Sequence, residues 1–65
     1  MKFSHYMYER VLGCLRADRR ISAAGIAADL GVSARQVERI LSDLKENGII
    51  RRVGANRNGY WEVLD

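Results

Sequence analysis

Apolar residues recur along this chain with helical period in two places, and glycines and serines punctuate what lies between. Val37, Ile40, Leu41 and Leu44 stand at i, i+3, i+4 and i+7. At about 100° per residue they form one stripe, with Arg35, Arg39 and Ser42 on the opposite side. Tyr8, Val11, Leu12 and Leu15 repeat that spacing, and Ser4 is placed to cap the first helix, predicted over about residues 4–17. Asp18, Arg19 and Arg20 break the pattern. Ile21 follows as a lone apolar residue in extended chain, which we read as a short strand able to pair with a later sheet.

Ser22 caps a second predicted helix that runs through Leu30, with Ile26, Ala27 and Leu30 inward. Gly31 ends it in the left-handed conformation that glycine tolerates. The turn is Gly31, Val32, Ser33. A connection this short forces the next helix across the second, with Val32 in the corner between them. Ser33-Ala34-Arg35-Gln36 has the form of a capping box, whose two side chains satisfy orphan amides at a helix start. That third helix is predicted to run to about Asn47, with Gly48 stopping it.

Residues 49–53 and 60–64 are β-rich, and Gly54-Ala55-Asn56-Arg57-Asn58-Gly59 between them supplies residues that accept positive φ. A symmetric hairpin sets Val53 opposite Tyr60, Arg52 opposite Trp61, Arg51 opposite Glu62 and Ile50 opposite Val63. Both faces then carry apolar residues, so the pattern leaves open which one is buried. Arg51 and Glu62 are placed to pair as a surface bridge.

At 65 residues there is room for one domain, which buries about 60% of the surface its unfolded chain exposes. A deep enzyme pocket is not expected. The formal net charge is +3, from eleven Lys and Arg against eight Asp and Glu. Residues 33–59 alone carry that +3: Arg35, Arg39, Lys45, Arg51, Arg52 and Arg57 against Glu38, Asp43 and Glu46. No apolar run approaches the roughly 20 residues of a membrane span, and the polar-aromatic start is unlike a signal peptide, so we expect a cytoplasmic protein with no membrane partner. Cys14, the one cysteine, excludes an internal disulfide and a multi-cysteine metal site. We read it as a small buried hydrophobe. His5 has no ligand or carboxylate partner at motif spacing and reads as a surface residue. Phe3, Tyr6, Met7 and Tyr8 exceed what one helical stripe needs, and either cover the core or supply a contact to a second copy or a fused neighbouring domain.

Helix, short strand, helix, three-residue turn, helix and hairpin is the order of the winged helix-turn-helix domains, and "IAADLGVSARQVERILSDLKENGIIRRVG" resembles them. The resemblance covers nearly the whole chain. It implies a small α+β fold, a three-helix bundle with a C-terminal hairpin wing, over residues 1–65, either complete or as a module of a larger protein. The ending "GIIRRVGANRNGYWEVL" looks most like the winged module at the C-terminus of some Fic-family proteins and of AlbA-type ATP-binding regulators. Gly25 departs from the family's usual helix former and permits a close backbone approach. Winged domains that bind Z-form DNA share a wing tryptophan, as Trp61 is here, but rely on Asn and Tyr where Glu38 and Ser42 stand. Z-DNA is disfavoured.

The resemblance points to double-stranded DNA in transcriptional regulation, with helix 34–47 in the major groove and wing 54–59 on the backbone or minor groove. Arg35 and Arg39 are suited to guanine O6 and N7, and Gln36 to adenine N6 and N7. Glu38 accepts from cytosine or orients an arginine. Ser33, Ala34 and the free amides at that helix start suit a phosphate. Arg52, Asn56, Arg57 and Asn58 complete the expected contacts. Two rival readings stand beside this one: an ordinary solvated face, and a winged helix used for protein contact or oligomerisation. Trp61 reads as packing rather than a stacking platform, since a lone aromatic is unlike single-strand binders. RNA binding lacks a matching motif. No Ser/His/Asp set, glycine-rich phosphate loop, catalytic carboxylate pair or metal cluster appears, so neither an enzyme nor a cofactor is expected.

Overall fold

Three serines start the three helices. In the computed structural model, which describes residues 3–54 and 59–64, Ser4, Ser22 and Ser33 each hold extended backbone. Each Oγ accepts from an amide three residues on: Met7 at 3.2 Å, Gly25 at 3.0 Å and Gln36 at 3.1 Å. Each such cap is worth about 1 kcal/mol. The helices are α1, His5–Ala17; α2, Ala23–Leu30; and α3, Ala34–Glu46. Gly31, at φ 71, turns the chain out of α2, and the Val32 amide closes on the Ala27 carbonyl at 3.0 Å.

The end of α3 decides where the hairpin goes. Gly48 takes φ 72, its amide reaches Lys45 O at 3.1 Å, and the Ile49 amide reaches Leu44 O at 2.9 Å. This paired closure is a Schellman motif, and it fixes the exit direction of the chain. β1, Ile50–Val53, and β2, Tyr60–Val63, then pair antiparallel in the expected register, Ile50 with Val63 through Val53 with Tyr60. Leu64 N–H adds one further bond to Ile49 O at 2.7 Å.

Both predicted stripes are buried in full: Tyr8, Val11, Leu12 and Leu15 from α1, and Val37, Ile40, Leu41 and Leu44 from α3. Ile26, Ala27 and Ile50 join them. Leu30 and Val32 pack half-buried at the edge. The inward face of the hairpin is the one with Ile50, Trp61 and Val63, all on the core. The other face carries the Arg51–Glu62 ion pair and Tyr60, over which the Arg19 guanidinium sits at 4.5 Å.

Most of the aromatic start covers the core. The Tyr8 hydroxyl donates to Asp43 Oδ2 at 2.9 Å and accepts from the Phe3 amide at 3.2 Å, and the Phe3 ring meets Tyr8 edge-on at 6.0 Å. Met7 also packs inward. Tyr6 alone of the four is exposed, at 67%.

Two expectations are corrected. Among the described residues the sheet has two strands, and Ile21 is not one of them. Its amide turns back to Asp18 O at 3.1 Å, while Asp18 Oδ1 takes the Arg20 amide at 3.1 Å. The segment therefore curls, and a single carbonyl, Arg19 O, reaches the hairpin by accepting from Trp61 N–H at 2.9 Å. His5 does have a carboxylate neighbour: Glu9, one helical turn on, lies 3.8 Å from Nε2. The two share a face because they stand at i and i+4 of α1, and both are solvent-exposed. No helix among the described residues is long and apolar enough to cross a membrane.

Gly25 packs closely against the side chains of Ile21 and Ser22. A Cβ there would lie 3.0 Å from Ile21 Cγ1 and 3.3 Å from Ser22 Oγ. Alanine would gain up to about 1 kcal/mol of helix propensity but must displace Ile21. We therefore predict that Gly25→Ala is near neutral or destabilising in the parent chain, and stabilises by about 0.5–1 kcal/mol once Ile21→Ala has cleared the space. Urea unfolding of the four proteins checks this; equal effects in both backgrounds would refute it.

Candidate nucleic-acid interface

Burial of the α3 stripe fixes what the helix shows to solvent. Ser33, Ala34, Arg35, Glu38 and Arg39 are exposed, and Gln36 is half-buried. Arg35, Gln36 and Arg39 line one shallow hollow with Ser33, about 490 Å³ in volume, and Phe3 forms its edge. Arg35 and Arg39 are one turn apart, a like-charge pair that costs a few tenths of a kcal/mol until an anion comes between or beside them. Ser33 Oγ caps the Gln36 amide, and the amides of Ala34 and Arg35 have no acceptor within the helix. Together with the helix dipole they make the start of α3 attractive to an anion.

Glu38 stands apart from this set. It lines a groove on the other flank of α3, between that helix and the hairpin, with Arg52, Ser42, Lys45, Arg20 and Trp61. Arg52 lies with its guanidinium 5.2 Å from the Trp61 ring centre. Apart from Ala34, exposed at the start of α3 and lining neither, the expected residues among those described divide in two: Ser33, Arg35, Gln36 and Arg39 on one flank, Glu38 and Arg52 on the other. Asn56, Arg57 and Asn58 lie outside the described residues.

Sequence reasoning missed Phe3 and Arg20 at these surfaces and did not rank Lys45 or Ser42. Lys45 is seven residues beyond Glu38, two helical turns on, so the period alone could have found it. Arg20 is brought in only by the curl of residues 18–21, which no pattern in the sequence announces.

A family model described as winged helix-turn-helix DNA-binding matches residues 9–51, from the first half of α1 through α2, the turn and α3 into β1. The chain belongs to that family. No curated protein and no solved structure matches it. In this winged helix-turn-helix domain α3 is the helix after the turn and the hairpin is the wing, and DNA binding is the activity that the family carries. The match ends at Arg51 and does not show the expected likeness of the ending to Fic-type and AlbA-type modules.

Cys14 lies on another side of the domain. It is half-buried, and its Sγ donates to Asp29 Oδ2 at 3.3 Å, tying α1 to α2. Burial raises the thiol pKa above its ordinary value, as do the hydrogen bond to Asp29 and that carboxylate's charge, while Arg10 pulls the other way. A raised value keeps the thiol protonated near neutral pH and lowers its reactivity. Iodoacetamide at pH 7.5 should therefore modify the folded chain several-fold more slowly than the unfolded one, and Asp29→Asn should speed the reaction. A folded rate equal to the unfolded rate would contradict the assignment.

Proposed function

We propose that this domain binds B-form duplex DNA as part of a transcriptional regulator, with α3 in the major groove and the wing, residues 54–59, along the backbone or in the minor groove. The carrying observation is the hollow that joins Arg35, Gln36 and Arg39 on the solvent side of α3, opposite a stripe buried in full. Arginine presents two parallel donors to guanine, glutamine a donor and an acceptor to adenine. Ser33, Ala34 and the amides at the helix start take a phosphate. Glu38, on the wing side, acts by orienting a cation or by accepting from cytosine.

The protein-contact reading calls for an exposed apolar patch on α3. The large exposed apolar residues among those described are Tyr6 and Leu64, neither of them on α3. Charge at the outer face therefore favours the duplex.

Arg39→Ala should weaken binding to a selected duplex by about 1–3 kcal/mol and relax preference at one base position. Selection from a random-sequence library followed by affinity measurement checks it. The reading fails if Arg35→Ala with Arg39→Ala leaves affinity unchanged in a folded chain.

At the wing tip, Arg57→Ala should weaken all duplexes alike, because a Gly/Asn loop positions charge better than it fixes base geometry. One lost phosphate contact should make the slope of log affinity against log salt shallower by about 0.9. A loss confined to one base identity would make Arg57 a base reader instead.

A further inference from the structure

Arg39 stands between two hollows on one flank of α3. The first is shared with Ser33, Arg35 and Gln36; the second, about 600 Å³, is shared with Asp43, one helical turn on, and Phe3 lines both. A carboxylate four residues from an arginine is placed to form an ion pair across the helix surface. Such a pair would occupy the guanidinium that the duplex needs. Among the described residues, Arg39 and Asp43 do not form it.

The Asp43 carboxylate is held from α1 instead. Tyr8 Oη accepts from the Phe3 amide at 3.2 Å, which leaves its one proton to be donated to Asp43 Oδ2, at 2.9 Å. The Tyr8 ring is buried in the core, so this donor has a fixed position. Asp43 is itself half-buried, and Arg39 is exposed. A hydrogen bond from a fixed hydroxyl to a carboxylate is a strong one, whereas an exposed ion pair must order both side chains and is screened by salt. The order along α3, arginine before aspartate, is also the weaker order for such a pair. Tyr8 therefore wins the carboxylate.

We propose that Tyr8 is a positioning residue for duplex recognition: by holding Asp43 it keeps the Arg39 guanidinium unpaired and turned to the DNA. The inference rests on Arg39 as a base reader and adds what preserves that role. Tyr8 and Asp43 are 35 residues apart, so the fold undoes a pairing that α3 alone would favour.

Tyr8→Phe removes the hydroxyl and keeps the ring. Affinity for a selected duplex is measured for the parent and Tyr8→Phe, then for the same change in Asp43→Asn and Arg39→Ala backgrounds, with circular dichroism confirming that each chain is folded. Released Asp43 should compete for Arg39, so Tyr8→Phe should weaken binding in the parent by about twofold at low salt, the size of an exposed i, i+4 ion pair. The ratio should shrink as salt rises. With Asp43→Asn present, Tyr8→Phe should leave affinity unaltered, because the amide carries no charge to pair with. With Arg39→Ala present it should add no further loss. A second reading comes from the protein without DNA: the Arg39 Nε resonance should shift on Tyr8→Phe, and the shift should vanish when Asp43→Asn is added.

A purely structural role for Tyr8 would lower affinity in all three backgrounds alike, and that result would overturn the proposal. So would an unchanged affinity, or an unmoved Arg39 resonance, in folded Tyr8→Phe. In either case a loss on Arg39→Ala alone would leave the base-reading assignment intact. If Arg39→Ala leaves duplex affinity unchanged, the assignment of Arg39 falls and this inference falls with it.

Discussion

The burial of Val37, Ile40, Leu41 and Leu44 against α1 and α2 is the constraint on which the rest of this domain depends. Burying each such side chain is worth about 1.5–3 kcal/mol relative to exposure, so a rotation of α3 that lifted the stripe out of the core would be prohibitive. The rotation of α3 about its axis is thereby set. Arg35, Arg39 and Ser42 must face solvent because their neighbours cannot. Tyr8 adds a polar constraint to the apolar one, since its buried ring brings a hydroxyl to Asp43 on the flank of α3. A domain of this size has few other ways to hold one helix surface in a fixed pose.

The hairpin is placed by a chain of local decisions that begins on the same helix. Gly48 supplies the left-handed turn, Ile49 closes on Leu44 O, and Ile50 then drops into the core with Trp61 and Val63 beside it. Period-two alternation carries Arg52 to the same face, at the far end of the strand, where it meets Trp61 rather than the core. A second tether reaches β2 from the curl after α1, through Trp61 N–H to Arg19 O and the Arg19 guanidinium over Tyr60. The hairpin is thus held at its base through Ile49 and Ile50 and nearer its loop through Tyr60 and Trp61, and the α3–wing groove inherits its shape from both.

Where a feature follows from period or from local turn chemistry, the sequence made it legible. The stripes of α1 and α3, the three serine caps, the glycine stops at 31 and 48 and the hairpin register are all of that kind. Ile21 was misread because an isolated apolar residue beside Ser22 fits either a strand or a packed loop. The competition was decided by Asp18, whose backbone and side-chain oxygens both fold the segment back. The buried face of the hairpin was undecidable from alternation, because both faces carry apolar residues; it was settled by which one meets α1 and α3. In the candidate site, Ser33, Arg35, Gln36 and Arg39 share a helix face and were legible together. The separation of Glu38 onto the wing side, and the arrival of Arg20 there, depend on tertiary packing that no single-segment pattern carries.

The central claim is that α3 presents its N-terminal half to duplex DNA. Amide chemical shifts of the full chain, followed during titration with a selected duplex, test it residue by residue. The account predicts that the largest changes cluster at residues 33–39, and that residues 9–15 of α1 stay near their free positions. Changes centred on Tyr6 and the exposed face of α1, with residues 33–39 unmoved, would contradict it.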